Sequence, residues 1–292
     1  PPPSQGWAVL VLWAEVDAID EAEPPGKRMK ESDYLVLSAS EAEQFCRDQL
    51  EQLAVPAKEI SDCAEVMLEA SLRGVDSHGI ALVATFAERI RSGQMRPGRS
   101  LFVRREGATS AWVDGQQGLG PTLARKCVNL AMGKAKRSGM AAVSLVDGNY
   151  LGALAPYLLP VAQANLFALA VANSTPRVAP YGGRSGLHGT NPIAWIAPVE
   201  GGEPLLFDAA TGNAAARIAQ AVDEGRPLAP GIALDEDGCE TTDPAAAAAG
   251  TLLPVGAALG YGLGLLVDVL SGGLADAPIG PQIPPVRDWD SP

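Results

Sequence analysis

Positive charge is scarce in this chain. Its 292 residues include 22 Lys and Arg against 34 Asp and Glu, a net charge of −12, and the pI is about 4.6. Because proteins bind nucleic acids and anionic lipid surfaces through concentrated Lys and Arg, neither partner is expected. An anionic small molecule remains compatible, since a few local donors are enough to hold it. We therefore expect a small-molecule substrate, no nucleic acid and no membrane partner.

Cysteine is also scarce. The four cysteines, Cys46, Cys63, Cys127 and Cys239, include no C-x-x-C pair, so no metal site and no redox motif are predicted. Three of the four fall in helical patterns, where a free thiol acts as a small apolar side chain. This usage favours a reducing, cytoplasmic setting.

Long hydrophobic runs are missing as well. The most apolar glycine-rich stretch, residues 251–267, is shorter than the ~20 apolar residues that a membrane-spanning helix needs. Its glycines favour a helix buried inside the protein. The apolar run at residues 7–13 lacks the basic flank and the small-residue cleavage site of a secretory signal.

A composition of 47% hydrophobic and 19% charged residues is typical of a globular chain. Prolines and mixed charges predict a weakly ordered extension over residues 1–36 and a disordered tail over residues 277–292. Residues 37–100 read as a helical N-terminal subdomain. Its predicted helices cover 40–54, which opens with a capping box of Ser40 and Glu43, then 56–73, and a third that begins at Ser77-His78.

Residues 101–276 alternate between apolar strands and helices, which predicts an α/β domain with its sheet covered on both faces. The predicted strands are 101–105, 111–114, 141–146, 166–172, 193–197 and 205–208, and the predicted helices are 119–137, 153–164, 214–224 and 256–274.

The stretch at residues 73–79, Arg-Gly-Val-Asp-Ser-His-Gly, places a serine beside a histidine at a predicted helix start. The positive end of a helix dipole lowers the pKa of a histidine, and the Ser77 hydroxyl is able to fix the tautomer of His78. Such a histidine exchanges protons with carbonyl or hydroxyl groups. In the alternative interpretation, Ser77 only caps the helix and His78 lies at the surface.

A second polar stretch follows about a hundred residues later. A predicted strand ends near Asn173, and the glycine-rich loop 181–192 contains Arg184, Thr190 and Asn191. Loops at the carboxyl ends of strands bind ligands in α/β proteins, so this loop is predicted to face His78 across one pocket. Gly, Asn and Pro also make ordinary turns, and composition does not distinguish such a turn from a ligand-binding loop.

The glycines at positions 256, 260, 262 and 264 would let a phosphate approach a helix N-terminus, or they mark a close contact between helices. Their spacing is not a G-x-G-x-x-G between a strand and a helix. A Ser-His-Asp hydrolase is disfavoured, because adjacent Ser77 and His78 rarely act on each other as nucleophile and base. No G-x-S-x-G elbow occurs.

Short motifs in a fixed order resemble the malate/L-lactate dehydrogenase family of the non-Rossmann type. This group includes ureidoglycolate dehydrogenase, sulfolactate dehydrogenase and piperideine-2-carboxylate reductase. The motifs run through residues 37–276 and are LRGVDSHG at 72–79, VDG at 113–115, GLG at 118–120, NSTP at 173–176, APYGG at 179–183, GTNP at 189–192, FD at 207–208, AT at 210–211, TDP at 242–244 and GYGL at 260–263.

The resemblance implies an NAD(P)H-dependent oxidoreductase that interconverts a small 2-hydroxy acid and a 2-oxo acid, or reduces a cyclic imino acid. It implies NAD or NADP as cofactor, a mixed-sheet, sulfolactate dehydrogenase-like fold and a homodimer. His78 would be the proton donor, Ser77 part of its relay and Thr190 a substrate contact. The implied cofactor contacts are Tyr150, Leu151, Gly152, Ala153 and Leu154, then Asp208, Ala209 and Ala210, and finally Gly256, Gly260 and Gly262.

Four positions depart from the family pattern. Tyr150 stands where the family has a histidine beside the nicotinamide, and Leu82 where an arginine grips the substrate carboxylate. Ile218 ends a stretch that lacks the acidic relay residue, and Leu259 replaces a lysine. Three interpretations stay open: a working reductase of altered specificity, a catalytically inactive relative that keeps the fold as a nucleotide-binding or dimerising protein, and an unrelated binding module.

Overall fold

The computed structural model describes residues 37–283 and the backbone of residues 8–14. Its N-terminal part is helical, as the sequence predicts for residues 37–100. The helices there are α1 (Ala39–Glu51), α2 (Ala57–Leu72) and α3 (Leu82–Arg91), with the 3-10 turn Asp76–His78 between α2 and α3.

The start of α1 differs from the prediction. Ser38 is the N-cap, since its hydroxyl accepts the amide of Glu41 at 3.3 Å and the Glu41 carboxylate accepts the Ser38 amide at 2.8 Å. The predicted pair lies inside the helix, where Glu43 forms an ion pair with Arg47 at 2.6 Å. The sequence contains S-x-x-E twice, starting at Ser38 and at Ser40, so the spacing alone does not distinguish the two registers.

A seven-stranded mixed sheet lies at the centre of the rest of the molecule and confirms the predicted fold class. Its strands, in sheet order, are β2 (Phe102–Glu106), β3 (Ser110–Asp114), β4 (Met140–Val146), β1 (Ala8–Ala14), β5 (Phe167–Asn173), β6 (Ile193–Ala197) and β7 (Leu205–Ala209). The neighbours β3, β4, β1 and β5 are parallel, whereas β2, β6 and β7 pair antiparallel with their neighbours.

The strand in the middle of this sheet comes from the N-terminal segment. β1 pairs in parallel with β4 and with β5, so that Val11 lies opposite both Val143 and Ala170. A continuous apolar run such as AVLVLWA is typical of a strand inside a parallel sheet. The predicted weak order of the extension therefore does not hold for residues 8–14. Residues 1–7 and 15–36 lie outside the described part of the chain.

Helices cover both faces of the sheet, as predicted. On one face α4 (Gly120–Ser138) and α5 (Ala155–Gln163) pack on the strands, and α2 packs in turn on α4 and α5. The main core lies between these helices and the buried side chains of β4 and β5. On the other face, Val267 of α8 (Ala258–Ser271) contacts Val171 of β5.

Residues 227–244, where the sequence predicts neither a helix nor a strand, contain two short strands. With a third they form a small separate sheet beside two helices. These elements are β8 (Ala233–Leu234), β9 (Glu240–Thr241), β10 (Thr251–Leu252), α6 (Ala215–Glu224) and α7 (Pro244–Ala249). The predicted disordered tail begins with a 3-10 turn, Gly280–Gln282, and its residues 284–292 lie outside the described part.

The helix α8 is only partly buried, although the sequence predicts a buried one. Among the described residues, one helical stretch, Ala258–Ala275, has the length and composition of a membrane span, and 39% of it is buried. Its inner side carries small residues such as Gly260 and Gly264, which let the helix approach Thr211 and the imidazole of His188. Its outer side carries an exposed apolar row, the α8 stripe, formed by Leu259, Leu263, Leu266 and Val269.

The position of β1 predicts that the sheet needs this strand. Val11→Pro removes a backbone donor and places a ring inside a strand that pairs on both edges, so we expect a loss on the order of 3 kcal/mol in the free energy of unfolding. Urea unfolding followed by tryptophan fluorescence measures it. Val11→Ala keeps the N–H and should cost less. Equal unfolding midpoints for Val11→Pro and the unchanged chain would contradict the central place of β1.

Candidate active site

Four chain segments meet at one edge of the sheet. The parallel strands β4 and β5, which flank β1, both end there, so residues 147–154 and 174–177 follow them at the same edge. β6 begins at the same edge because it runs antiparallel to β5, and β7 ends there because it runs antiparallel to β6. Ligands bind at such edges in α/β proteins. The strand directions alone thus bring residues 190–192 and 208–210 to the same place.

A cavity of about 360 Å³ opens at this edge, within the ~300–1,000 Å³ that is usual for small-molecule sites. His78 and Thr190 both line it, so the two turns that the sequence predicts to face each other share one pocket. The predicted site residues that line the cavity are Ser77, His78, Tyr150, Gly152, Ala153, Leu154, Thr190, Asp208, Ala209 and Ala210.

The other predicted cofactor contacts lie elsewhere. Leu151 is 1% exposed and belongs to the main core. Gly256, Gly260 and Gly262 do not line the cavity. A Cβ on Gly260 would lie 2.1 Å from the carbonyl oxygen of Val255, so this glycine allows close packing.

His78 lies in the 3-10 turn and not in the first turn of a helix, which corrects the prediction. Gly79 leaves the helical conformation (φ −99°, ψ −144°), and α3 begins only at Leu82. A Cβ on Gly79 would lie 2.0 Å from Ser71 Oγ, and that hydroxyl accepts the amide of Ile80 at 3.0 Å. The turn is therefore held against α2, which places His78 over the cavity.

Burial lowers the pKa of His78, so the cause differs from the helix dipole that the sequence suggests. Ser77 Oγ lies 2.9 Å from Nδ1 of His78. This hydrogen bond engages one ring nitrogen and leaves Nε2 for a ligand. With Ser77 Oγ as the acceptor, the neutral imidazole carries its proton on Nδ1, and Nε2 is free to accept one. The lowered pKa favours this neutral ring at pH 7.

Tyr150 forms the wall of the cavity beside His78. The two ring centroids are 6.1 Å apart. On its other side, the Tyr150 ring meets Phe86 edge to face at 6.3 Å and the guanidinium of Arg89 at 5.7 Å. Asn149 holds the preceding backbone, since its side-chain amide donates to Gln94 O at 2.7 Å. Tyr150 is thus a fixed, buried aromatic side chain.

Asp208 joins the end of β7 to the start of α5. Its Oδ2 accepts the amides of Leu154 and Ala155 at 2.8 and 2.7 Å. Burial raises the pKa of this carboxyl group, while the two amide hydrogen bonds act in the opposite direction. Since the carboxylate occupies these amides, this helix N-terminus is already engaged by an anion from the protein itself.

Asn191 holds the turn that carries Thr190. Its side chain is fully buried, and its backbone is left-handed with φ 42°. Oδ1 accepts the amide of Ser174 at 3.1 Å, while Nδ2 donates to Gly264 O at 2.9 Å and to Asp268 Oδ1 at 3.0 Å. One side chain therefore ties the Thr190 turn, the end of β5 and α8 together.

Two buried hydroxyl groups lie behind the cavity wall. Ser174 Oγ and Thr175 Oγ1 have no hydrogen-bond partner within the described part of the chain, although both residues are about 95% buried. Buried hydroxyls are normally paired. The small and apolar residues of the cavity wall fit a flat nicotinamide ring, and the volume leaves room for a small acid beside it.

Sequence reasoning missed four polar residues that line the cavity: Arg73, Ser174, Thr175 and Arg177. For the last three, the available signal was the strand end at Asn173, because the four residues after it lie at the ligand edge of the sheet. Arg184, which belongs to the same glycine-rich loop as Thr190, is exposed and does not line the cavity.

The remaining departures from the family pattern lie apart from the cavity. Leu82 and Ile218 are 3% and 4% exposed within apolar clusters, and Leu259 is 70% exposed on the α8 stripe. Within residues 37–283, no group of three or more His, Cys, Asp or Glu side chains is placed to hold a metal ion.

The profile of the family described as malate/L-lactate dehydrogenase matches residues 37–292. The strand β1 (Ala8–Ala14) lies before the matched residues in the sequence. L-Sulfolactate dehydrogenase of Methanothermobacter thermautotrophicus is 30% identical over 247 residues, which cover 85% of this chain and 72% of that protein.

Two further similarities point to the same group. Ureidoglycolate dehydrogenase (NAD(+)) of Escherichia coli O157:H7 is 33% identical over 253 residues, which cover 86% of this chain and 72% of that protein. The crystal structure of delta1-piperideine-2-carboxylate reductase from Pseudomonas syringae pvar. tomato matches with a TM-score of 0.81 at 31% identity. That match covers 88% of this chain and 77% of the reductase chain.

The chain at Gly189 passes so close to Ser174 that a larger side chain at position 189 should destabilise the protein. A Cβ there would lie 2.2 Å from Ser174 Oγ and 2.5 Å from Ser174 O. Gly189→Ala should therefore displace Thr190 and lower the free energy of unfolding by about 1–3 kcal/mol, as measured by chemical denaturation. Gly262→Ala is the matched control, because a Cβ there meets nothing within 4 Å and alanine favours the helix by about 0.5–1 kcal/mol. An equal loss of unfolding free energy in Gly189→Ala and Gly262→Ala would show that the close contact of Gly189 with Ser174 does not matter for stability.

Proposed function

Because the chain belongs to the malate/L-lactate dehydrogenase family, we propose that it is an NAD(P)H-dependent oxidoreductase. Its reaction interconverts a small 2-hydroxy acid and the corresponding 2-oxo acid, or reduces a cyclic imino acid. The observation that carries this proposal is the shared cavity of about 360 Å³, which has a titratable imidazole on one side and the Thr190 turn on the other.

The nicotinamide would lie against the segments that follow β4 and β5. Gly152 and Ala153, which line the cavity, are small enough to let a flat ring approach the backbone. When bound, the reduced nicotinamide nucleotide supplies the hydride. We leave NAD and NADP as equal candidates, since the described cavity surrounds only the nicotinamide end.

His78 would supply the proton. In the reducing direction the carbonyl carbon gains a hydride and the carbonyl oxygen takes a proton from the imidazolium of His78, which becomes neutral. In the oxidising direction neutral His78 takes the hydroxyl proton. Ser77, bonded to Nδ1, keeps the ring orientation through both steps. Thr190 would hold the substrate on the opposite wall.

One observation favours the second candidate, a catalytically inactive relative that binds nucleotide. Among the described residues that line the cavity, Asp208 is the only carboxylate, and two backbone amides already engage it. No lining carboxylate is therefore left to exchange protons with His78 through Ser77. NAD(P)H oxidation with pyruvate, oxaloacetate, sulfopyruvate and piperideine-2-carboxylate distinguishes the two candidates. Tight nucleotide binding without turnover would establish the inactive relative.

We also propose that the working unit is a homodimer that buries the α8 stripe. The stripe residues are spaced by four, three and three positions and lie on one side of the helix. Leu259 is 70%, Leu266 47% and Val269 53% exposed, and contiguous exposed apolar surface of this kind favours association.

We place the protein in a reducing, cytoplasmic compartment. All four cysteines are free, and three of the thiols are buried. Burial raises the pKa of Cys46 to about 12, so this thiol stays protonated and unreactive.

His78→Ala should lower kcat by about 10²–10⁴-fold, because no other described group in the cavity replaces the proton donor. NAD(P)H binding, followed by fluorescence quenching, should be unchanged. Asp76→Asn is the control, since Asp76 is exposed in the same turn and does not line the cavity. Full activity of His78→Ala would eliminate the proposed role.

The direction of the pKa shift of His78 predicts how the rates of reduction and oxidation depend on pH. Reduction requires the protonated imidazole, so its rate should fall as the pH rises through a value below the ordinary histidine pKa. Oxidation requires the neutral imidazole and should persist across the neutral range. Steady-state rates in both directions from pH 5 to 9 measure this. A reduction profile centred above the ordinary histidine pKa would contradict the assignment.

Leu266→Glu places a charge in the α8 stripe and should convert the dimer to a monomer of 30.1 kDa, as measured by light scattering after size exclusion. Val199→Glu is the matched control, because Val199 is 43% exposed outside the stripe. A monomeric unchanged chain would overturn the proposed dimer.

A further inference from the structure

A buried carboxylate lies behind the Thr190 turn. Asp268 is on the inner side of α8, is 6% exposed and does not line the cavity. Burial raises the pKa of this carboxyl group, while a hydrogen bond from Asn191, the nearby His188 and a hydrogen bond from Asn173 act in the opposite direction. A charge in the interior costs free energy, so this carboxylate needs a role other than packing.

The carboxylate receives an amide group from each end of one loop. Asn173 is the last residue of β5, and Asn191 lies two residues before β6. Asp268 Oδ1 accepts Nδ2 of Asn191 at 3.0 Å, and the carboxylate also accepts the side-chain amide of Asn173. Residues 174–190 leave the sheet and return to it between these two asparagines. One side chain of α8 therefore holds both ends of a loop that contributes to the cavity wall.

The acceptors on α8 determine which way the Asn191 side chain faces. A carboxylate only accepts hydrogen bonds, so Nδ2 of Asn191 turns towards Asp268, and Gly264 O accepts it as well at 2.9 Å. Oδ1 then faces the Ser174 amide and accepts it at 3.1 Å. An asparagine at position 268 has one acceptor oxygen in place of two, so it would direct an NH2 group at one of the two asparagine amides.

The Asn191 side chain is one peptide away from Thr190. The Thr190 carbonyl accepts the Thr211 amide at 2.8 Å and the Thr211 hydroxyl at 3.1 Å, and the Asn191 carbonyl accepts the same hydroxyl at 3.0 Å. The peptide is thus held by Thr211 on one side and by the asparagine side chain on the other. Because a binding site needs its contacts placed to within about 0.5 Å, a shift of this peptide would weaken the hold on a substrate.

We infer that Asp268 is a positioning residue of the substrate site, which acts through Asn191 on Thr190. This inference rests on the proposed function, in which Thr190 holds the substrate. Asp268 itself touches neither substrate nor cofactor, since it does not line the cavity. The site therefore extends to a carboxylate of α8 that lies one side chain behind the cavity wall.

Asp268→Asn keeps the shape of the side chain and removes one acceptor. We expect the KM for the best 2-oxo or imino acid substrate to rise about tenfold, with a smaller change in kcat because His78 is not displaced. NAD(P)H binding, followed by fluorescence quenching, should stay within about twofold.

Asp62→Asn is the matched control. Asp62 is 2% exposed, pairs with Lys58 and Arg125 and does not line the cavity. Its replacement should lower the urea midpoint of unfolding and leave the substrate KM within about twofold.

A double-mutant cycle separates positioning from a general loss of structure. Thr190→Val removes the hydroxyl that Asp268 positions, so Asp268→Asn added to Thr190→Val should raise the KM by less than a further factor of about two. Calorimetric titration of oxamate, a stable analogue of a 2-oxo acid, into the full chain with NADH present gives the same comparison without turnover. Independent, multiplying increases of KM in the double variant would show a general effect and overturn the inference.

The outcomes separate this inference from the proposed function. Turnover by the unchanged chain, with unaltered KM and oxamate affinity in Asp268→Asn, would overturn the inference alone. Oxamate binding that Asp268→Asn weakens, without turnover of any substrate, would overturn the proposed reaction and support the inference. Absence of both turnover and oxamate binding in the unchanged chain would overturn both. Asp268→Ser, which leaves room for a water, replaces Asp268→Asn where that variant does not fold, and failure of both to fold would assign Asp268 to stability and overturn the inference.

Discussion

The side chain of Asn191 is the contact on which the rest of the site depends. It is fully buried, and it joins the amide after β5 to a carbonyl and a carboxylate of α8. Two neighbouring parts of the cavity wall are thereby held together: the Thr190 turn and residues 174–177. Leaving a buried amide without one of its partners costs more free energy than the hydrogen bond contributes. The Thr190 turn, the end of β5 and α8 are therefore expected to move as one unit.

This arrangement explains why small residues surround Asn191. Gly189 crosses the backbone of Ser174, and Gly264 lies against the imidazole of His188, where a Cβ would be 2.6 Å from Cε1. His188 is fully buried, donates from Nδ1 to Gly189 O at 2.8 Å, and stacks on Tyr261 at 5.8 Å. It therefore supports the turn from behind and does not line the cavity.

Much of the fold could be predicted from local pattern. The bounds of α2, α4, β4 and β6 follow from apolar periodicity together with Pro and Gly at their ends. His78 was misplaced by one element, because the close contact of Gly79 with Ser71 overrides the capping signal at residues 76–77. α8 was predicted as buried because composition does not say which side of an apolar helix meets the sheet. β1 was missed because a seven-residue apolar run is stable only with its distant partners.

The residues of the candidate site likewise include some that the sequence predicts and some that it does not. His78 and Thr190 were foreseen because motif order related them, and the directions of β5, β6 and β7 explain why they meet. Thr175 and Arg177 were not foreseen, since nothing in the sequence says which of four consecutive loop residues face inward. The glycines at 256–262 illustrate the opposite error, because a sequence pattern that suggests phosphate contact also suits close helix packing.

The central place of β1 has a consequence for how the chain reaches its native state. The strand precedes its partners in the chain, yet Val11 finds its neighbours at Val143 and Ala170, so it pairs only after both of those segments have been synthesised. Such non-local pairing is slow, and an unpaired apolar strand is prone to aggregate meanwhile. Closing the middle of the sheet is then a late event, and chaperones that shield hydrophobic nascent segments should determine the yield of this protein more than its final stability does.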